Sequence, residues 1–213
     1  RQRQMCIRDR NQIVLTGMVL STTPVGEYDR RVVLLTKEQG KVSAFAKGSR
    51  RPNSPLVGVV NPFTFGEFTM YEGRSSYTIQ SAKVINYFSE LREDVLGAYY
   101  GFYFLEVANY YAREFNDELE MLKLLYQTMR ALTNPHIPDA LIRCIYELKI
   151  LTINGQGPQV FQCVQCGDRT RPAVFSAAKG GLVCNECDGE VRDGMFLDGS
   201  TLYTICLLYT SDA

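Results

Sequence analysis

Residues 11–51 read NQIVLTGMVLSTTPVGEYDRRVVLLTKEQGKVSAFAKGSRR, and this stretch decides the fold. Gln12 to Leu20 and Arg31 to Thr36 are rich in β-branched residues, and Lys41 to Ala46 alternates polar with apolar residues, the period of a half-buried strand. Pro24 with Gly26, and then Gln39-Gly40, interrupt these runs where hairpin turns are wanted. Further along, Phe63, Phe65 and Phe68 mark a fourth strand and Ser76 to Val84 a fifth, with Gly48 to Pro55 and Glu72-Gly73 as the intervening connections. Five short strands within about seventy residues predict a small barrel; the five-stranded OB-fold is the natural candidate and an SH3-like barrel the alternative.

After Val84 the period changes to threes and fours. Val95, Tyr99, Phe102, Leu105 or Glu106, and Asn109 step along a segment from Leu91 to Phe115 that is dense in aromatics, which predicts a largely buried helix. Asn116 reads as the N-cap of a second helix with Leu119, Leu122, Leu125, Tyr126 and Met129 as its stripe, ending near Thr133. A third helix starts about Pro138 and runs through Leu141, Ile145, Leu148 and Leu151 to a stop near Gly155. His136, the single histidine, lies in the loop before it and reads as a capping or solvent-facing residue, not a ligand.

Cys163 and Cys166, then Cys184 and Cys187, are two CxxC pairs separated by seventeen residues. That spacing lies inside the window of a zinc module, and four thiolates close a tetrahedron with no position left for water or substrate, so the ion expected is structural. Gly167 permits a turn after the first pair, and Gly180-Gly181 lets the chain return to the second. Two disulfides or four buried thiols are the alternative, which the odd cysteines and the lack of a secretory signal disfavour. A redox CxxC would open a helix, and the surroundings here are short, Gly-rich and polar.

The expected class is therefore α+β: an OB-fold barrel over 11–84, a helical domain over 85–160, and a four-cysteine zinc module over 161–193. With 213 residues, 46% hydrophobic and 22% charged, the chain is long enough for this and is globular in composition. No apolar run reaches the length that spans a bilayer, and seven cysteines fit a cytoplasmic setting. The opening RQRQMCIRDR (1–10) and the closing CLLYTSDA (206–213) resemble translated sequencing-adapter fragments and are set aside as non-native, so that Cys6 and Cys206 are expected to carry no function.

Net charge is zero but unevenly placed. Asn11 to Lys83 carries nine Lys/Arg against five Asp/Glu, whereas Val84 to Ile205 carries ten against sixteen. The basic surplus concentrates around AFAKGSRR, Ala44 to Arg51, where Lys47, Arg50 and Arg51 are expected to share one mobile loop with Arg30, Arg31, Lys37 and Lys41 nearby in sequence. Convergent cations of this kind suit phosphate binding. Tyr28, Phe45, Phe63, Phe65, Phe68, Tyr71 and Tyr77 would stack bases where they face outward, although most aromatics of a small barrel fill its core. No P-loop, carboxylate cluster or Ser/His pair suggests a catalytic site, and no enzymatic activity is expected.

These residues resemble a known family. The run from Ile13 to Arg51 and the PLVGVVNPFTFGEF segment, Pro55 to Phe68, are similar to the N-terminal OB domain of the bacterial RecO recombination mediators. CVQCG and GGLVCNEC resemble the zinc module of the same family's C-terminal domain, in the order AKGSRR, NPF, CxxCG, GGLxCxxC. The resemblance covers nearly all of Asn11 to Ile205. It implies a cytoplasmic, nucleoid-associated protein of the RecF pathway that binds single- and double-stranded DNA, anneals strands coated by single-strand-binding protein, contacts that protein's C-terminal tail, and with RecR helps load RecA. It also implies a further helix after the second CxxC, beginning at Gly199-Ser200. A zinc-stabilised protein-interaction module that does not bind DNA is the competing expectation.

Overall fold

The computed structural model describes residues 12–73, 76–169 and 172–210. Two compact units result, 1–146 and 147–213.

In the first unit five strands close a barrel: β1 (Gln12–Val25), β2 (Asp29–Thr36), β3 (Gly40–Ala46), β4 (Phe65–Glu72) and β5 (Tyr77–Asn86). The order is β1-β2-β3-β5-β4, with β4 returning to β1, and β3 meets β5 in parallel through Ala44 and Phe45 against Tyr77 and Thr78. This Greek-key closure is the OB arrangement and leaves no exposed sheet edge. Strict alternation along β3 explains the interior: Val42, Ala44 and Ala46 point inward, joining Leu15, Val19, Val32, Leu34, Phe68, Met70 and Ile79, while Lys41, Ser43 and Phe45 face out.

β1 is five residues longer than the sequence suggests. Ser21 to Val25 pairs with Asp29 to Val33 beyond an irregularity at Val19/Ser21, so Pro24 sits in the hairpin arm and Gly26, with φ of 59°, makes the turn. Gly40 needs its left-handed conformation for a second reason. A Cβ there would lie 2.5 Å from the Arg113 carbonyl and 2.6 Å from that of Asn116, so the β2–β3 turn can touch the segment after the long helix only as glycine.

The helices depart from expectation in four ways. The segment expected as one helix from Leu91 is two, α1 (Glu90–Glu93) and α2 (Val95–Tyr111), because Asp94 is extended and its side chain accepts from the Leu96 amide as an N-cap. Much of the expected buried stripe of α2 lies on its outer face: Val95, Tyr99 and Phe102 are exposed, Tyr99 by 72%, whereas Leu105 is buried as expected. The buried face is Gly97, Gly101, Phe104, Leu105 and Ala108, since the Phe63 ring of the barrel unit occupies the space a Cβ on Gly101 would need. Phe63 itself precedes β4, with φ of 72°, and packs on Phe102 at 4.7 Å between ring centroids.

Helix α3 spans Leu119–Leu132 and is capped at Glu118, not at Asn116, whose amide instead donates to the Glu118 carboxylate. Its stripe is the expected one, with Leu122, Leu125 and Met129 buried, and Tyr126 packs at a tilt against Phe65, with ring centroids 4.6 Å apart. Helix α4 (Asp139–Ile153) follows Pro138 as expected, but its buried positions are Ile142 and Tyr146, one residue on from Leu141 and Ile145 of the stripe, and Ile150, between Leu148 and Leu151. Tyr146 decides that register, because its buried hydroxyl donates to the Phe104 carbonyl at 2.9 Å. His136 is exposed in the intervening loop.

The second unit holds a small sheet, β7-β6-β8, from β6 (Pro172–Ser176), β7 (Gly181–Cys184) and β8 (Met195–Phe196), then α5 (Gly199–Thr210). Asp193 ties the β6–β7 hairpin by accepting from Ser176 Oγ at 2.7 Å and the Ala178 amide at 2.8 Å. These donors hold its carboxyl below the usual carboxylate range. Residues 1–10, read as foreign to the fold, lie outside the described residues, as do 211–213; Cys206 to Thr210 continue α5.

Candidate nucleic-acid interface and metal centre

The four cysteines converge. Their sulfurs all lie within 4.8 Å of one another, and Cys166 and Cys184 approach to 3.6 Å. Thiolates around one tetrahedral ion at a metal–sulfur distance of about 2.3 Å stand about 3.8 Å apart, so the cluster fits a single metal. Local backbone explains the convergence. Gly167, with φ of 77°, returns its amide to the Cys163 carbonyl at 2.9 Å, and the Cys187 amide returns to the Cys184 carbonyl at 3.0 Å, giving two similar turns. The Gln159–Gly181 bridge and the Val164 amide on the Leu182 carbonyl at 2.8 Å hold the turns together.

The thiols are electrostatically primed for a cation. Burial pushes the Cys163 thiol up, but amide N–H groups of Cys166, Cys184 and Gln165 outweigh it and bring the group down to about 6. Cys187 is pushed up to about 12, first by its contact with Cys184 and then by burial and by Cys166. Four crowded sulfurs do not all ionise beside one another without a positive ion, which a bound metal would supply.

The cations of the first unit do not form one patch. Lys47, Arg50 and Arg51 share the loop after β3, and all three are exposed. The loop is tied down, contrary to the expectation of mobility. The Gly48 amide donates to Asp29 Oδ1 at 2.7 Å, the Arg50 amide to the Tyr28 carbonyl at 2.9 Å, and the Arg50 guanidinium to the Gly26 carbonyl at 3.2 Å. The Arg51 guanidinium lies over the Tyr28 ring at 4.9 Å. The tip of the β1–β2 hairpin thus serves as the platform for the basic loop.

The other cations part from this cluster. Arg31 faces outward on β2, its Nε donating to Ser43 Oγ at 2.8 Å, and Arg30 turns to Asn61 Oδ1 at 3.0 Å. Lys41 Nζ donates to the Asn109 carbonyl at 2.9 Å near the C-terminus of α2, a position that favours positive charge. Lys37 sits in the β2–β3 turn, an eight-residue strand away from the hairpin tip, roughly 25 Å. Among the described residues the ion pairs Lys83–Glu67 and Lys123–Glu120 involve none of the seven.

Of the aromatics, Phe63 and Phe68 are buried and Phe65 packs on α3, whereas Tyr28, Phe45 and Tyr77 reach the surface. Sequence reasoning missed Asp29 as the anchor of the basic loop. It also missed Phe115 and Glu114, which the Gly40–Glu114 bridge brings to the edge of β3; no local signal carries that pairing.

A closed Greek-key barrel with a hydrogen-bonded basic loop, followed by helices and a four-cysteine ribbon, defines an α+β protein that carries an OB-type barrel and a four-cysteine module able to hold a metal. Comparison with known proteins makes the assignment specific. The family model for the N-terminal part of recombination protein O matches residues 11–88, and that for its C-terminal part matches residues 92–213. The chain is 35% identical over 174 residues to the DNA repair protein RecO of Alkaliphilus metalliredigens, covering 81% of this chain and 71% of that one. It is 30% identical over 178 residues to the RecO of Acetivibrio thermocellus, covering 83% and 71%, and 30% over 193 residues to that of Listeria monocytogenes, covering 91% and 75%. The chain belongs to the RecO family of DNA repair and recombination proteins. Among the described residues, no helix is long and apolar enough to cross a membrane.

Proposed function

We propose that this chain is a DNA-binding recombination mediator of the bacterial cytoplasm, associated with the nucleoid, that anneals complementary single strands without ATP and assists the loading of RecA. The observation that carries the reading is the exposed group Lys47, Arg50 and Arg51, tethered to the β1–β2 hairpin of an OB-type barrel with Tyr28 under Arg51. Cations in that setting neutralise phosphates of single- or double-stranded DNA without reading bases. Lowering the repulsion between two strands leaves base pairing to drive annealing, so nucleotide hydrolysis is not required. Arg30, Arg31, Lys37 and Lys41 lie apart from this cluster and are proposed as separate, secondary phosphate contacts.

Zinc is the metal proposed for Cys163, Cys166, Cys184 and Cys187, because four thiolates at tetrahedral spacing match its preference and leave the ion structural. RecR and the C-terminal tail of single-strand-binding protein are the proposed protein partners. The exposed aromatic face of α2, with Tyr99, Phe102, Tyr103 and Tyr110, favours docking of proteins and supports the second reading, an interaction module that does not touch DNA. Quenching of a dye-labelled strand by its complement separates the two. Acceleration by the protein without ATP is expected; a strict ATP requirement, or no acceleration at protein concentrations that saturate the DNA, removes the annealing mechanism.

A further inference from the structure

Helix α2 differs from the helix that follows it. Its seventeen residues, Val95 to Tyr111, carry a single charge, Glu106, and neither lysine nor arginine, whereas the exposed side of α3 carries Glu120, Lys123 and Arg130. A helix that is apolar all round is ordinarily covered on every side. One side of α2 is covered, through Gly97, Gly101, Phe104, Leu105 and Ala108. The other lies open, with Val95, Leu96, Tyr99, Phe102 and Tyr110 all exposed, Tyr110 by 82%.

Spacing makes these residues a seam. Val95, Tyr99, Phe102 and Glu106 follow one another at intervals of four, three and four, the period with which one helix packs along another, and Tyr110 continues the same side a turn later. At ordinary side-chain areas the exposed parts of the five apolar residues come to about 600 Å². Two such faces together bury about 1,200 Å², which reaches the lower end of specific protein interfaces.

Chemistry narrows the occupant. A helix without a cation offers no counter-charge to phosphates, to anionic lipids or to an acidic peptide. The face complements itself instead. Laid antiparallel on a copy, about a two-fold axis between Phe102 and Tyr103, it sets Val95 against the partner's Tyr110 and Tyr99 against the partner's Glu106, so that the lone carboxylate of each copy accepts from a phenol of the other. A parallel pairing would bring two carboxylates together, which repel.

We propose that this face of α2 is the contact between two copies of this chain, packed antiparallel. Its role in annealing rests on the DNA-binding reading. Each chain presents one exposed cluster of cations, at Lys47, Arg50 and Arg51, so a pair presents two, one for each strand.

Sedimentation velocity of the full chain between about 1 and 100 µM tests the contact. The unaltered protein shifts from the mass of one chain toward twice that. Tyr99→Glu with Tyr110→Glu, which alters no buried position, stays at one chain across the range with unchanged circular dichroism. Mixing a Val95→Cys chain with a Tyr110→Cys chain under mild oxidation gives a disulfide between the two introduced positions, located by peptide mapping. A single-chain mass for the unaltered protein at the highest concentration, a dimer that survives the two glutamates, or a disulfide joining two copies of position 95 overturns the proposal. Both proteins bind labelled single strands alike, because the Lys47 loop is untouched, while annealing by the glutamate variant slows by about tenfold or more. Equal annealing rates remove the role and leave the contact. Failure of both proteins to bind DNA overturns the DNA-binding reading and leaves the contact standing.

Discussion

Replacing Lys47, Arg50 and Arg51 together by alanine isolates the electrostatic share of DNA binding, because the loop that carries them keeps its shape. The ties from the Gly48 amide to Asp29 and from the Arg50 amide to the Tyr28 carbonyl use the backbone and survive the change. What is lost is the Arg50 contact to the Gly26 carbonyl and the Arg51 contact with Tyr28, both exposed and together about 1 kcal/mol of stability. Each cation that neutralises a phosphate of a single strand contributes about 0.7 to the slope of log affinity against log salt, so the triple variant flattens the slope by about 2. Between about 50 and 200 mM salt, the gap between the unaltered protein and the variant therefore shrinks by roughly 20-fold. Anisotropy titrations with labelled single strands across that range measure it directly, and strands of different sequence weaken alike. Parallel salt dependences with unchanged affinity would falsify the placement of phosphate contacts on this loop.

Three further outcomes follow from the structure. Metal analysis gives one zinc per chain; chelation disorders the segment around Cys163 to Cys187, and zinc affinity falls as pH falls because protons compete for the sulfurs, which a competition titration at two pH values reads. Tyr146→Phe costs about 1 kcal/mol in a denaturant melt by removing the hydrogen bond to the Phe104 carbonyl. Burial raises the Tyr146 hydroxyl above its ordinary 10.0, so its contribution is intact below that pH and is lost as the pH climbs above it; the phenylalanine variant shows a smaller alkaline loss. Gly40→Ala destabilises the fold by about 1–3 kcal/mol through a strained φ and a contact with the Arg113 carbonyl, read as a lower melting temperature, whereas Gly26→Ala, where φ is similar but no neighbour lies close, costs less.

The barrel was legible because its signals are local. Gly26 and Gly40 both adopt the left-handed conformation that their positions between apolar runs suggest, and the strands between them pair in the expected sequence. The four-cysteine cluster was legible for the same reason, since each CxxC turn is decided within four residues and Gly167 and Gly180 supply the positive φ on either side. Helix existence was equally local, down to the Pro138 start and the Gly155 stop. The choice of helix face was not.

Helix α2 shows why. A sequence rule that buries large apolar residues turns Val95, Tyr99 and Phe102 inward, but the wall this helix meets already carries a large ring, Phe63, held outside its strand by a left-handed backbone. The helix therefore meets that ring with Gly101, buries Gly97, Phe104, Leu105 and Ala108, and leaves Val95, Tyr99 and Tyr110 in solvent. The register of α4 follows the same logic, one hydroxyl on Tyr146 finding the Phe104 carbonyl and carrying the stripe one residue past the hydrophobic period. The basic residues obey it as well. AFAKGSRR announces a cation cluster, yet Lys41 points to the end of α2 and Arg30 to Asn61, contacts set by segments far away in the chain. Chemistry carried by neighbours in sequence is therefore readable before folding. Chemistry assembled across elements, as where Phe115, Glu114 and Tyr77 line one groove, exists only once the β2–β3 turn has docked against the end of α2, so a change that undocks Gly40 should disperse that groove while sparing the loop at Lys47 to Arg51.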